Sequence, residues 1–201
     1  MIHGRKFDIR VWVLVTHNLD CFFFREGYVR TSSSKYTTDA AALANDWVHL
    51  TNNAVQKHSP NYGDFEDGNQ LSFADFRKYL RDHHDKVDPF FERVILAKMK
   101  SYIQLSLESV KRKLNPNKRS QCFEIFGYDF IIDAEFNTWL IEANTNPCLE
   151  ESSQLLKMLL PRMLNDAFKL TVDNVFKMHK VELRDQEPRP EQPYRVKGYP
   201  D

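Results

Sequence analysis

Hydrophobic and polar positions change their period along this chain, and each change marks an element. In KFDIRVWVLV, Phe7, Ile9 and Val11 alternate with Lys6, Asp8 and Arg10, which predicts a strand over Lys6–Val15 with one apolar and one charged face. Cys21 to Thr31 reads as its hairpin partner across THNLD. The turn centre can fall anywhere from Asn18 to Asp20, and the last of these makes Arg10 and Arg30 direct neighbours. TSSSKYTTDAAALAND reads as polar loop, VHLTNNAVQKHS as a short segment, and PNYGDFEDGN as loop. Ser72, with Asp75 three residues on, forms a capping-box-like start to a helix whose core face uses Phe73, Phe76 and Leu80. Phe91, Ile95, Met99, Ile103 and Leu107 keep helical spacing through a longer helix, Pro89 to Leu114, which NPNK stops. A helix from about Glu151 to Phe168 follows, with Pro161 as a bend point, then a short one over Val172–Met178. From Asp185 the sequence is polar and proline-rich and reads as disorder or a linker.

One stretch breaks the pattern. FGYDFIIDAEFNTWLIEANTNP, Phe126 to Pro147, reads as two apolar strands around a polar turn, yet Asp129 and Glu142 lie inside them. Strand interiors disfavour acids. A hairpin centred between Glu135 and Phe136 sets Asp129 directly opposite Glu142, where like charges repel. Asn144 shares that face by strand alternation. Two carboxylates and an amide oxygen suit a hard cation, and Mg²⁺ takes one or two carboxylates and completes its shell with water and phosphate oxygens. A solvated strand face in a different register is the alternative.

Composition narrows the class without naming it. With 201 residues the chain is one large domain or part of a larger one. Basic and acidic residues balance at 28 each, so no global field points to nucleic acid or a membrane surface. Cys21, Cys122 and Cys148 lack metal-type spacing and an even count, which favours reduced, intracellular thiols. No apolar run approaches the ~20 residues of a membrane span, and the first residues lack a signal-peptide core. A cytosolic, soluble, mixed α/β protein is expected.

Other features have two readings. Lys6, Asp8 and Arg10 make either a solvated edge face or an anion site with Arg30, because guanidinium groups brought together imply an anion between them. His83 and His84 are adjacent and point to different helix sides, a poor metal pair. CFFFREGY reads as core on one face and interdomain packing on the other. KRKLNPNKR either touches an acidic partner or complements a helix C-terminus.

Five stretches, in order, resemble segments of the tubulin tyrosine ligase-like (TTLL) family: KFDIRVWVLV, REGYVRTSS, VHLTNNAVQK, FEIFGYDFIID and WLIEANTNP. The resemblance covers about Arg5 to Phe168. It implies an ATP-grasp fold, mixed α/β with an antiparallel sheet and flanking helices. It also implies an ATP- and Mg²⁺-dependent ligase that adds an amino acid to tubulin C-terminal tails through an acyl phosphate. Asp129, Glu142 and Asn144 fall on metal positions, and Lys6, Asp8, Thr51 and Asn52 on nucleotide positions. Arg10 and Arg30 match the catalytic arginines that hold the amino acid or acyl phosphate; Lys57 matches a lysine near the side-chain carboxylate of incoming glutamate. Glutamate is therefore the expected amino acid and the microtubule the expected partner, in the cytoplasm, cytoskeleton or cilium. The family's catalytic unit begins well before its KFDIR-like strand, so residues 1–180 are expected to be the C-terminal portion of that domain and 181–201 a tail. A non-catalytic remnant that folds and binds tubulin or another partner is the other reading.

Overall fold

A computed structural model describes residues 1–176. Five strands form one sheet: β1 (Arg5–Thr16), β2 (Cys21–Lys35), β3 (Gln70–Ser72), β4 (Phe123–Ile132) and β5 (Thr138–Thr145). Their order is β3-β2-β1-β4-β5, and every neighbouring pair is antiparallel. The helices are α1 (Asp46–His49), α2 (Asn53–Gln56), α3 (Phe73–His84), α4 (Ala97–Leu114), α5 (Gln154–Leu170) and α6 (Val172–Val175). The mixed α/β architecture with flanking helices matches the sequence expectation.

Strand alternation gives the sheet two unlike faces. On one, Ile9, Val11 and Val13 of β1 join Phe126, Tyr128 and Phe130 of β4 under Phe73, Phe76 and Leu80 of α3 and Ile95, Met99 and Ile103. Each fully buried side chain of this kind contributes about 1.5–3 kcal/mol. Gly27 permits the close packing, because a Cβ there would lie 2.5 Å from the Arg10 carbonyl and 2.6 Å from the Phe73 ring. On the other face Trp12 and Tyr28 pack beneath Leu156, Leu159, Leu160 and Met163 of α5. Ser153 caps α5 by accepting from Leu156 N at 3.1 Å. Beyond this cluster, Asp8, Arg10, Arg30 and Asp129 put charge on the same face.

Several boundaries differ from the sequence reading. Thr31–Lys35 continues β2 and is not loop; Thr31, Ser32 and Ser33 are buried there. Their polar groups are matched: Arg5 donates to Thr31 Oγ1 at 2.9 Å and to the Ser32 carbonyl at 3.2 Å, and Ser33 N donates to Gln56 at 2.8 Å. The helix expected from Pro89 opens with a π-helical turn, Phe91–Leu96, before α4. VHLTNN and its surroundings form two single helical turns, α1 and α2. Pro161 lies inside α5, and Ser72 caps α3 through Asp75 N at 3.1 Å. The expected end of the last helix at Met178, and the tail from Asp185, lie outside the described residues. No helix among the described residues is long and apolar enough to cross a membrane.

Candidate active site

The β4–β5 turn is built by Asp133. Its carboxylate accepts from Glu135 N at 3.1 Å, Asn137 N at 2.8 Å and Trp139 Nε1 at 2.9 Å. Ile132 then pairs with Thr138, which centres the turn on Glu135, half a residue earlier than the sequence suggested. A bulge restores the expected pairing. Phe130 stands opposite Leu140, Ile141 is the extra residue, and Asp129 stands opposite Glu142. Asn144 follows opposite Gly127.

The β1–β2 register departs from the reading that made Arg10 and Arg30 neighbours. Arg10 pairs with Tyr28, and Arg30 pairs with Asp8, because Phe24–Glu26 bulge opposite Trp12. Across β1 and β4, Arg10 pairs with Asp129. The two arginines are joined diagonally by one carboxylate. Arg10 Nε bonds Asp129 Oδ1, and Arg10 Nη2 donates to Oδ2 at 2.8 Å. Arg30 Nη2 donates to the same Oδ2 at 2.8 Å, while its Nε donates to Asp8 Oδ1 at 2.6 Å. Thr51 Oγ1 closes the row on Asp8 Oδ2. The expected anion between the arginines is Asp129 itself.

All five residues are buried, at 2–7% exposure, so charge alternation is what makes the row tolerable. Burial alone would raise the Asp129 pKa, but the bonds from Arg10 and the charges of Arg30 and Arg10 outweigh it and hold the carboxyl below its ordinary range. Burial likewise opposes the charge on both arginines. Asp129 for Arg10, and Asp8 with Asp129 for Arg30, more than reverse this and raise both above the usual guanidinium value. The Nη1 of each arginine has no protein partner among the described residues. For Arg10 that atom borders the space left by Gly127, where a Cβ would lie 3.3 Å from it and 2.8 Å from Pro147 Cβ.

Exposed Glu142 and half-buried Asn144 form the rim. Asn144 Nδ2 donates to Glu142 Oε1 at 3.0 Å, which leaves the Asn144 amide oxygen and the second Glu142 oxygen open. Glu142 has no cationic partner among the described residues. This all-oxygen set fits Mg²⁺. No group of three or more His, Cys, Asp or Glu among the described residues could hold a metal by itself, so water and phosphate oxygens would complete any such shell.

The other expected residues spread outward. Lys6 Nζ donates to the His49 carbonyl at 2.6 Å, at the end of α1. Asn52 begins α2 without a side-chain cap bond, and Lys57 ends it; both are exposed. Gln56, which sequence reasoning passed over, fixes this segment. Its Oε1 accepts from Ser33 N at 2.8 Å, and its Nε2 donates to the carbonyls of Trp47 at 3.3 Å and of Leu50, which holds Thr51 beside Asp8. Arg5 was also missed. It is 1% exposed, pairs with Glu66 and anchors the 57–69 loop to β2. A buried amide within a polar loop gives no periodicity signal; Arg5 adjoins the strand pattern but its acid lies 61 residues away.

The profile of the Tubulin-tyrosine ligase family matches residues 1–180. The chain belongs to this family. It is 37% identical over 180 residues to "Tubulin glycylase 3D" of Tetrahymena thermophila, covering 86% of this chain and 17% of that protein. It is 36% identical over 175 residues to "Tubulin glycylase 3B" of the same organism, covering 86% and 14%. To "Probable tubulin polyglutamylase TTLL9" of Mus musculus it is 38% identical over 156 residues, covering 77% and 32%. The chain spans well under half the length of these relatives. The buried arginine–aspartate row and the Glu142–Asn144 rim lie side by side on one face of the sheet.

Proposed function

We propose that this chain carries part of the active site of an ATP- and Mg²⁺-dependent ligase that adds an amino acid to tubulin C-terminal tails. The carrying observation is the buried row Asp8–Arg30–Asp129–Arg10, which leads to the exposed carboxylate of Glu142. Residues 1–180 would form the catalytic-domain portion, acting at microtubules in the cytoplasm or cilium. The relatives' names support a tubulin-modifying ligase and leave the amino acid open between glycine and glutamate.

Glu142, Asn144 and the remaining lone pairs of Asp129 would hold the metal, which when bound offsets phosphate charge. Asp129 positions both guanidinium groups, each with one unused Nη1 donor for an anion. Those donors suit the carboxylate of the incoming amino acid, or the acyl phosphate formed on the tail, and stabilise charge as it develops. Lys6, Asp8, Thr51 and Asn52 would border the nucleotide. Two reactants held in this geometry need only the amine to attack the activated carbonyl, with phosphate leaving.

Glutamate is the proposed amino acid, because its second carboxylate needs one more cation and Lys57 is exposed beside this segment. The test supplies labelled glutamate, glycine or tyrosine separately to the full-length protein containing these residues, with tubulin and MgATP. Glutamate incorporation that falls on Lys57→Ala supports the reading. Incorporation of glycine or tyrosine alone rejects glutamate, and no incorporation of any amino acid favours a non-catalytic tubulin-binding member.

A further inference from the structure

Tyr28 stands directly opposite Arg10 across β1 and β2, and two positions from Arg30 on the same face of β2. Direct partners of this kind hold their Cβ atoms about 4.5–5.5 Å apart. The Tyr28 ring is clamped. Trp12 lies 5.4 Å away, centroid to centroid, and Leu156, Leu159, Leu160 and Met163 of α5 cover the pair. The side chain is 5% exposed, yet its hydroxyl makes no hydrogen bond among the described residues. A buried tyrosine hydroxyl ordinarily finds a partner.

Two observations say where that partner belongs. The hydroxyl and both guanidinium groups lie within electrostatic reach of one another, with Arg30 the strongest charge acting on Tyr28 and Arg10 the next. Among the described residues, the buried side-chain atoms both unpartnered and sealed from solvent are Arg5 Nε, Trp12 Nε1, Glu92 Oε2 and Thr138 Oγ1. The Tyr28 hydroxyl is not one of them, and neither is Nη1 of Arg10 or of Arg30. All three unpartnered groups therefore remain open. Burial pushes the Tyr28 phenol up against the pull of the two arginines, so it stays an O–H donor at neutral pH.

We propose that the Tyr28 hydroxyl donates a further hydrogen bond to an oxyanion held by Nη1 of Arg10 and Nη1 of Arg30. Asp8, Arg30, Asp129 and Arg10 alternate in sign, so the row as a whole offers an anion no net charge. Directed donors must hold it instead, and a hydroxyl on a clamped ring supplies one at little cost in conformational entropy. The anion's identity rests on the ligase reading: the carboxylate of the incoming amino acid or the phosphoryl group of the acyl phosphate. The two share the oxyanion and differ in shape.

The experiment titrates the 201-residue protein with inorganic phosphate and, separately, with acetate, at constant ionic strength with Mg²⁺ present. Calorimetry gives the affinities, and NMR of ring-labelled tyrosine, assigned through Tyr28→Phe, reports on the phenol itself. The parent should bind at least one of the anions, and the Tyr28 signal should move as it does. Tyr28→Phe should weaken that binding about tenfold at an unchanged melting temperature, because the lost hydroxyl had no protein partner. A deficit with phosphate assigns the phosphoryl group, and a deficit with acetate assigns the carboxylate. Equal affinity in parent and variant, or no binding of either anion, overturns the proposal. A loss of affinity matched by a fall in melting temperature also overturns it, since Tyr28 would then be structural. The readout needs no turnover, so it is separate from labelled amino-acid incorporation. A full-length parent that incorporates nothing, with the Tyr28 deficit intact, rejects the ligase reading alone.

Discussion

Arg10 and Asp129 face each other across β1 and β4, and the Asp129 oxygen that accepts from Arg10 Nη2 also accepts from Arg30 at 2.8 Å. One carboxylate thus bridges two buried guanidinium groups that would otherwise repel, while Asp8 supplies the second counter-charge to Arg30. Its charge is spoken for on the β1 side, while Glu142 meets it from the β5 side. The acid that looked misplaced in a strand is the centre of the network.

Asp129→Asn should therefore damage the fold. It leaves both arginines buried without their shared counter-charge, a change that costs about 3–5 kcal/mol. Urea unfolding should show the loss as a lower midpoint with little change in slope. A variant as stable as the parent would mean that the row is held together by something else.

Arg10→Lys keeps the charge and loses the fork. An ammonium offers one point contact where the guanidinium makes two bonds to Asp129, so about 1–2 kcal/mol of stability should go. Amino-acid incorporation by the full-length protein should fall further than stability does, since the spare Nη1 is lost as well. Unchanged turnover and amino-acid affinity would make Arg10 purely structural.

Acid should loosen the protein through the same residue. The folded-state pKa of Asp129 lies below its ordinary value of 3.8, so its stabilising contribution is complete above that value. It is lost as pH falls through the lower, folded-state value, where the native carboxylate takes up its proton. Thermal unfolding should show a melting temperature that drops below about pH 4, and more steeply in the parent than in Asp129→Asn. Parallel curves for the two proteins would contradict the assignment.

Gly127 is expected to resist even alanine. The added methyl would sit 2.8 Å from Pro147 Cβ and 3.3 Å from Arg10 Nη1, so either the loop after β5 or the guanidinium must shift. Overpacking of this kind costs about 1–3 kcal/mol. Nucleotide binding should weaken too, because the same loop continues from the Glu142–Asn144 rim. A Gly127→Ala protein with parental stability and nucleotide affinity would show that the space is slack.

Asp129 opposite Glu142 was legible because strand period and a short polar turn fix pairing. Even so, the turn lies half a residue away, and the Ile141 bulge, which has no sequence signature, brings the pair back into register. The β1–β2 pairing was not legible, because Asn18–Asp20 admits several centres and the Phe24–Glu26 bulge adds residues that no pattern announces. Ser-rich Thr31–Lys35 has loop propensity, yet Arg5, Gln56 and Asn69 supply its partners from distant positions and make it strand. Apolar faces were easiest: Phe73, Phe76 and Leu80, and Ile95, Met99 and Ile103, stand where helical spacing put them. The roles of Lys6, Asn52 and Lys57 came from family resemblance alone, and these three lie at the margins of the network.

The proposed role of Glu142, with Asn144 and Asp129, is to hold the metal of a bound nucleotide. Electron paramagnetic resonance of Mn²⁺ with ATP tests it most directly, on the parent and on Glu142→Gln, with melting temperatures measured alongside. Glu142 is exposed and makes no ion pair among the described residues, so the variant should melt with the parent. Its affinity for Mn²⁺·ATP should fall at least about tenfold, through loss of one ligand charge at constant volume. Equal Mn²⁺·ATP affinity in the two proteins, at equal stability, would show that Glu142 is not a metal ligand.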